Sequence, residues 1–132
     1  MTPEERAIAK LKATTAITDL VNTRIYPAYR PEDSGLPAIS YLEISDVGSG
    51  YTGGAADTAE KTLDFTFYAS TYSGLKALKA IVISTLDGFT DADGNEWHAE
   101  EGSDGINDLT TGEGSPSIFT YSQVFSVWYS RI

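Results

Sequence analysis

The fold of this 132-residue chain is decided by the stretch Leu63-Asp64-Phe65-Thr66-Phe67-Tyr68-Ala69. Its large apolar residues alternate with more polar ones, because Leu63, Phe65 and Phe67 occupy every second position. Successive side chains of a strand point to opposite faces of a sheet, so this spacing predicts a strand with one buried and one wetter face. The stretch therefore needs an apolar layer on one side of a sheet.

A helix is predicted directly after this strand, with Ser73 as its cap and its end at Gly88. Lys76 and Lys79 are expected on its outer side. Its apolar stripe consists of Leu75, Leu78, Val82 and Leu86. This helix supplies part of the layer that the strand needs.

Other elements are predicted on both sides of this pair. A first helix begins at Pro3 with Thr2 as its cap, and a short helix over 15–21 follows it. Extended segments are expected at 24–27, from 36 to about 45, and over 118–129, with a tight hairpin turn at Asp93-Gly94 between segments around Phe89 and Trp97. The glycine-rich stretch 46–60 is predicted to be a mobile loop or a long hairpin tip, and residues 100–116 are predicted to be a second long loop.

These elements predict one α+β domain over residues 1–132, with an antiparallel sheet of about four strands and two to three helices packed on one face. The opposite face of the sheet carries tyrosine and threonine. A half-apolar face of this kind is a candidate contact surface. The alternative is that these aromatic residues sit singly among polar neighbours, as on many protein surfaces.

The charge of the chain is strongly acidic and unevenly distributed. Nine Lys and Arg oppose 19 Asp and Glu, which gives a formal charge of -10 and argues against binding of nucleic acid through its phosphates. Residues 1–30 hold five basic and three acidic residues, whereas residues 80–130 hold nine acidic residues and no Lys or Arg. The acidic segment is interpreted either as ordinary solvation of loops or as a surface that faces a polyanion without binding it, or that meets a basic partner.

The composition also excludes several kinds of site. There is no cysteine and a single histidine, His98, so disulfides, thiolate metal sites and two-histidine metal sites are excluded. The acidic start and the absence of an apolar run of about 20 residues predict a soluble protein made in the cytosol.

Several short motifs are typical of binding or catalytic sites, but the sequence around each of them does not support such a site. Residues 48–53 match G-x-G-x-x-G, but another strand is predicted after them where dinucleotide binding needs a helix. The acidic run from Asp91 lacks the glycine and glutamate spacing of an EF-hand. The sequence has no nucleophile elbow that could supply a catalytic serine to His98. Glu100 and Glu101 are adjacent, so on a strand their side chains would point to opposite faces and would not form a shared-proton dyad. No catalytic, cofactor-binding or metal-binding residue is therefore predicted.

The order of the structural motifs resembles a known family. The motifs are a helical start followed by Arg24-Ile25-Tyr26-Pro27, then Leu36-Pro37-Ala38-Ile39-Ser40-Tyr41, the stretch 63–69 with its helix and Asp87-Gly88-Phe89, and finally Phe125-Ser126-Val127-Trp128-Tyr129. This series is similar to the tail-completion (tail terminator) proteins of long-tailed phages and related gene-transfer particles, and it covers most of the chain.

The resemblance implies a structural, non-enzymatic virion protein without a cofactor, assembled in the host cytoplasm and located at the head-proximal end of the tail. Such a subunit forms a homo-oligomeric ring, usually of six, that caps the tail tube protein, stops tube polymerisation and meets the head-completion or connector (stopper) protein. DNA passes through the bore without specific binding, and acidic residues near the bore would keep it from adhering.

Partner contacts are expected in the loops, because loops on a rigid scaffold carry recognition. Other readings stay open, namely a different head–tail connector or minor tail subunit, or a small acidic ligand-binding domain or enzyme. The candidate contact residues are Tyr51, Asp57, Glu60, Glu100, Glu101, Asp104, Asp108 and Glu113.

Overall fold

The computed structural model describes residues 2–31, 35–48, 58–102, 105–108 and 118–130. Its helices are α1 (Pro3–Ala13), α2 (Thr15–Val21) and α3 (Tyr72–Leu86). Its strands are β1 (Ile25–Pro27), β2 (Ala38–Gly48), β3 (Thr58–Ala69), β4 (Trp97–Gly102), β5 (Asn107–Asp108) and β6 (Phe119–Ser130). No helix among these residues has the length and hydropathy needed to cross a membrane.

The strands form one mixed sheet in the order β1-β2-β3-β6-β4, with β5 paired to β6. The α+β class is confirmed, but the sheet has six strands and is not fully antiparallel, because β1 runs parallel to β2. Strand β1 has only three residues, too few to show a period. The connection over 28–37 returns the chain to the end of the sheet where β1 began, so β2 starts in the same direction.

The stretch 63–69 lies at the centre of the sheet, as its alternation predicts. Strand β3 pairs antiparallel with β6 over its whole length, from Thr58↔Ser130 to Ala69↔Phe119. The odd-numbered residues of β3 face the three helices, and Leu63, Phe65 and Phe67 are fully buried there. Phe65 meets Phe125 of β6 edge to face, with ring centroids 5.4 Å apart. This pairing builds the middle of the core.

The helices begin where side chains cap them. Thr2 accepts a hydrogen bond from the Glu5 N–H (3.2 Å), so the predicted start of α1 is confirmed. The predicted cap of α3 is wrong, because the extended backbone of Thr71 lets its hydroxyl accept from the Gly74 N–H at 3.0 Å. Helix α3 also ends at Leu86 rather than Gly88, since Asp87 already has an extended backbone.

The two predicted loops are shorter than expected. The ladder between β2 and β3 continues through Val47↔Glu60 and Gly48↔Ala59, so 46–48 and 58–60 are strand. Residues 100–102 belong to β4 and 107–108 form β5. Glycine-rich composition hid these strand ends, because pairing with a long neighbouring strand outweighs weak β propensity. The motif at 48–53 lies outside the described residues from 49 onward.

One lysine joins α1 to the sheet. Lys61 is on the helix side of β3, and its side chain is only 8% exposed. Its ammonium contacts the carboxylates of Glu4 (3.0 Å) and Glu43 (3.3 Å). Burial lowers the pKa of Lys61, but the hydrogen bonds and charges of Glu4 and Glu43 outweigh burial and raise that pKa above its ordinary value.

Replacement of Phe65 by alanine tests the core. We expect Phe65→Ala to lower the free energy of unfolding by about 3–5 kcal/mol, because it removes a fully buried ring and leaves a cavity. The control is Thr66→Ala on the opposite face, which loses one hydroxyl contact to Ser122 and should cost about 1 kcal/mol. Urea unfolding measures both, and equal losses would contradict the assignment of the buried face.

Replacement of Lys61 tests the link between α1 and the sheet. Lys61→Met should cost about 2 kcal/mol at pH 7, because it leaves two half-buried carboxylates without their cation. A lysine whose pKa is raised by folding stabilises the protein below its ordinary pKa and loses this contribution as pH rises through the raised value. The difference from wild type should therefore shrink above about pH 10.5.

Urea unfolding at pH 7 and pH 11 measures this difference. The matched control is Lys76→Met, which removes an exposed lysine of α3. A gap between wild type and Lys61→Met that stays constant between the two pH values would show that the ion pairs do not stabilise the fold.

Candidate assembly surface

The face of the sheet opposite the helices is the candidate functional surface. No helix covers it among the described residues, since the buried residues of all three helices join the core on the other side. The even-numbered residues of β3 and β6 occupy this face, together with Leu42 and Val47 of β2 and His98 of β4. We call it the open face.

One half of the open face is apolar and acidic in alternation. The register places Asp64 of β3 between Leu42 of β2 and Val124 of β6. The next row is polar and consists of Ser45, Thr62 and Ser126. Beyond it, four residues away from Asp64 along β3, Glu60 lies between Val47 and Trp128. Leu42, Val47 and Trp128 are 50%, 61% and 51% exposed. Exposed apolar side chains grouped in this way are typical of a surface that contacts another protein.

Asp64 is held in an unfavourable environment on this surface. Its Oδ1 atom is buried and has no hydrogen-bond partner. Burial between apolar neighbours raises the pKa of its carboxyl group above the ordinary value, because the charged form loses water contacts. A cation brought by another molecule would remove this penalty.

The other half of the open face consists of paired hydroxyl groups. Ser40 and Tyr68 share a hydrogen bond of 3.2 Å, and Thr66 and Ser122 share one of 3.3 Å. The guanidinium group of Arg30 lies 5.2 Å from the centre of the Tyr68 ring. The tyrosine and threonine predicted for this face are therefore present, but their hydroxyl groups are bonded to serines of the neighbouring strands. The exposed apolar residues lie in the first half.

Two of the sequence-predicted contact residues come together. Glu60 and Glu100 line one shallow depression of the open face with Thr62, Val124 and Ser126. The Glu100 carboxylate accepts a hydrogen bond of 2.6 Å from Ser126. Asp108 is exposed in β5, on the same sheet. Glu101 belongs to β4, but its side chain is not described, and Tyr51, Asp57, Asp104 and Glu113 lie outside the described residues.

Several acids of the segment 80–130 have local structural roles. Asp87 accepts from the Ala99 N–H, and Asp91 accepts from the N–H groups of Asp93 and Asn95 in the predicted hairpin turn. Asp93 forms an ion pair with Arg6 at 3.2 Å. These acids stabilise turns and join α1 to the 91–95 turn, a role that sequence reasoning missed.

The described residues also lack the arrangement that a metal site needs. They contain no group of three His, Asp or Glu arranged to hold a metal ion. His98 is exposed on the open face, and its Nε2 lies 3.8 Å from Glu96 Oε1.

Four of the residues on this surface were not predicted as contacts from the sequence: Leu42, Val47, Asp64 and Trp128. Their apolar and acidic rows arise only from the register of three strands, because the residues of one row are far apart in sequence. The sequence indicated this surface only through the half-apolar character of one face of the sheet.

Comparisons with known proteins agree on the class of this chain. Residues 6–99 match the family described as tail completion protein gp17. A solved structure titled "Virion of native gene transfer agent (GTA) particle" contains a chain with a TM-score of 0.70 and 17% sequence identity, and the match covers 97% of this chain and 94% of that one. No curated protein matches this chain.

The structural match shows a shared fold, while the sequence match spans more than half of the chain. The resemblance found in the order of the motifs is thereby confirmed. A family of this kind consists of structural proteins of the virion tail and is not a class of enzymes. On this evidence the chain belongs to the tail completion protein gp17 family and is a structural component of a phage-type tail.

Proposed function

We propose that this protein forms a closed ring of identical subunits, six in number, at the head-proximal end of a tail tube. The ring ends polymerisation of the tube protein on one side and joins the head connector on the other. The observation that carries the proposal is the open face, where exposed apolar residues lie beside Asp64 and Glu60 and no helix of the described part of the chain covers them.

The distribution of charge supports contacts between unlike surfaces of neighbouring subunits. The three helices carry five basic residues, Arg6, Lys10, Lys12, Lys76 and Lys79, against three acidic ones. The apolar half of the open face carries Asp64 and Glu60. An acidic face in one copy is therefore complementary to a basic layer in the next. A contact between two different surfaces repeats from copy to copy, and it gives a ring when the rotation between neighbouring copies closes.

The net charge of -10 supports a bore through which DNA passes. A ring of six such subunits presents acidic groups on any surface that is not occupied by contacts. Phosphate groups are repelled by a lining of the same sign, so DNA moves through without adhering. Asp87 and Asp108, both exposed, belong to the acid-rich segment that we assign to this lining.

Variants of the open face test ring formation. Native mass spectrometry of the purified protein should give a discrete oligomer with six subunits. Trp128→Glu should weaken its association at least about 30-fold, because a large aromatic residue buried at an interface contributes about 2 kcal/mol or more. Trp128 is half-exposed in the subunit, so the fold should be retained.

The matched control is Tyr29→Glu, since Tyr29 is 74% exposed and lies after β1, outside the helices and outside the strands of the open face. Electron microscopy with isolated tail tubes then locates the protein. Binding at tube ends is expected for wild type and Tyr29→Glu. A wild-type protein that stays monomeric with and without tubes would overturn the proposal.

Asp64 offers a separate test, because its unpaired carboxylate opposes folding of the single subunit. Asp64→Asn should raise the free energy of unfolding at pH 7 by about 0.5–1 kcal/mol, a small value because water screens a half-exposed charge. A carboxyl group whose pKa is raised by folding loses its penalty as pH falls through that pKa. The advantage of Asn should therefore disappear near pH 3.

The same variant should associate less well than wild type, because the cation that compensates Asp64 in the ring loses its partner. Urea unfolding of the subunit and native mass spectrometry measure the two effects. A variant that is less stable at pH 7 and associates as well as wild type would show that Asp64 serves the fold of the subunit.

A further inference from the structure

We propose that the free edge of β2, residues 42–48, receives an extended basic segment of a different tail protein, which adds a strand to the sheet. The inference rests on the proposed function in one respect, because it takes the protein to be seated among other tail proteins. The edge is long: β1 pairs only with residues 39–41, and among the described residues the rest of β2 has a strand partner on one side only.

The backbone of this edge continues a series of hydrogen bonds that β1 begins. The Ile39 N–H donates to the Arg24 carbonyl (2.9 Å), and the Tyr41 carbonyl accepts from the Ala28 N–H (2.7 Å). Backbone groups point alternately to the two sides of a strand, so the N–H and C=O of Glu43 are the next to point away from β3. These groups are what an added strand pairs with.

Apolar side chains are concentrated on this edge. Leu42, Ile44 and Val47 are each half-exposed or more, and they are three of the six large apolar residues exposed in the described chain. A long edge that exposes apolar side chains is a template for another strand. A structural role within the subunit does not account for them.

A groove lies between α1 and Tyr41 of β2, next to the residue at which the free edge begins. A side chain at the end of an added strand therefore has a place to pack. Ile8 and Ala9 are the apolar residues that α1 contributes to it. Its lining consists of Glu4, Glu5, Ile8, Ala9, Lys12 and Tyr41.

Charge identifies the kind of segment that fits. Glu4 and Glu43 share one cation, Lys61, and Glu5 adds a third carboxylate at this end of the groove. Burial raises the pKa of the Tyr41 hydroxyl, and the charges of Glu4 and Glu5 raise it further. Lys12 also lines the groove, so the three carboxylates together face two lysines, Lys12 and Lys61. One negative charge remains in excess, and a Lys or Arg on the added strand complements it.

The other edges of this chain argue against a second copy as the donor. Strand β1 has three residues and ends in Pro27, which has no N–H. The outer edge of β4 is already bonded, since Gly88 donates to Trp97 (2.7 Å) and Trp97 donates to Phe89 (2.8 Å). Strand β5 has only two residues.

The basic residues in the extended parts of the chain are also engaged. Arg24 donates to the carbonyl groups of Pro37 and Leu20, and Arg30 stacks on Tyr68. The described part of this chain therefore offers no extended basic segment to a neighbour. A different protein is the donor that fits.

Hydrogen exchange on assembled particles tests the proposal without a variant. The Glu43 amide should exchange at least tenfold more slowly in tails than in the purified protein. An unchanged rate in tails would overturn the proposal. Equal protection in the purified oligomer would also overturn it, because the strand would then come from a second copy.

Two variants of Glu43 distinguish the contribution of its backbone N–H from that of its side-chain charge. Glu43→Pro removes an N–H that β3 does not use, whereas Glu43→Gln keeps the N–H and removes the charge. Both are supplied to particles whose own copy of the gene is deleted, and mass spectrometry counts the copies incorporated.

Glu43→Pro should be incorporated at least tenfold less than wild type, and Glu43→Gln two- to fivefold less. Circular dichroism and native mass spectrometry of the purified variants check fold and ring formation. A folded Glu43→Pro that forms rings and enters particles like wild type would overturn the proposal and leave the ring intact. Failure of wild type to form a ring would instead count against the proposed function.

Discussion

The pairing of β3 with β6 determines how the rest of the molecule is arranged. The two strands align over twelve residues, so their odd-numbered side chains meet on one face and their even-numbered side chains on the other. The odd set is mostly apolar in the middle of the sheet, with Gln123 as a buried polar exception, and the three helices pack there. Because all three helices pack on that face, no helix of the described residues covers the second face. The open face thus follows from the alternation in a single strand and from the small number of helices.

Much of this fold could be predicted from local patterns. Several features depend on neighbouring residues, and the structure confirms them. They are the start of α1, the extended segment that ends at Pro27, the buried stripe of α3 that begins at Leu75, and the alternation of β3. The parallel direction of β1 and the ends of β2 and β3 depend on pairing between distant segments. The cap of α3 depended on which of two hydroxyl residues had the extended backbone. Such features are decided by tertiary contacts.

The candidate surface was predicted less completely than the fold. Its half-apolar character was visible in Tyr68 and the threonines, but the exposed residues Leu42, Val47 and Trp128 belong to three different segments that meet only through register. The composition of the predicted loops instead indicated acidic residues as contacts. Two of these, Glu60 and Glu100, lie together on the open face. Several other acids, such as Asp91 and Asp93, organise a turn and bind α1. An acidic count therefore overstates how much charge is available to a partner.

The irregular pairing of β2 with β3 affects how two copies of the protein can associate before assembly. The ladder with β3 shifts between Glu43 and Ser45, which bends the strand, and Glu43 and Asp46 lie on either side of this bend. Two copies that tried to join through the same edge would bring bent strands and like charges together, and such a union is disfavoured. Pairing of two copies through this edge before assembly is therefore disfavoured. On our proposal, the edge acquires a partner strand only when a growing particle presents one of opposite charge.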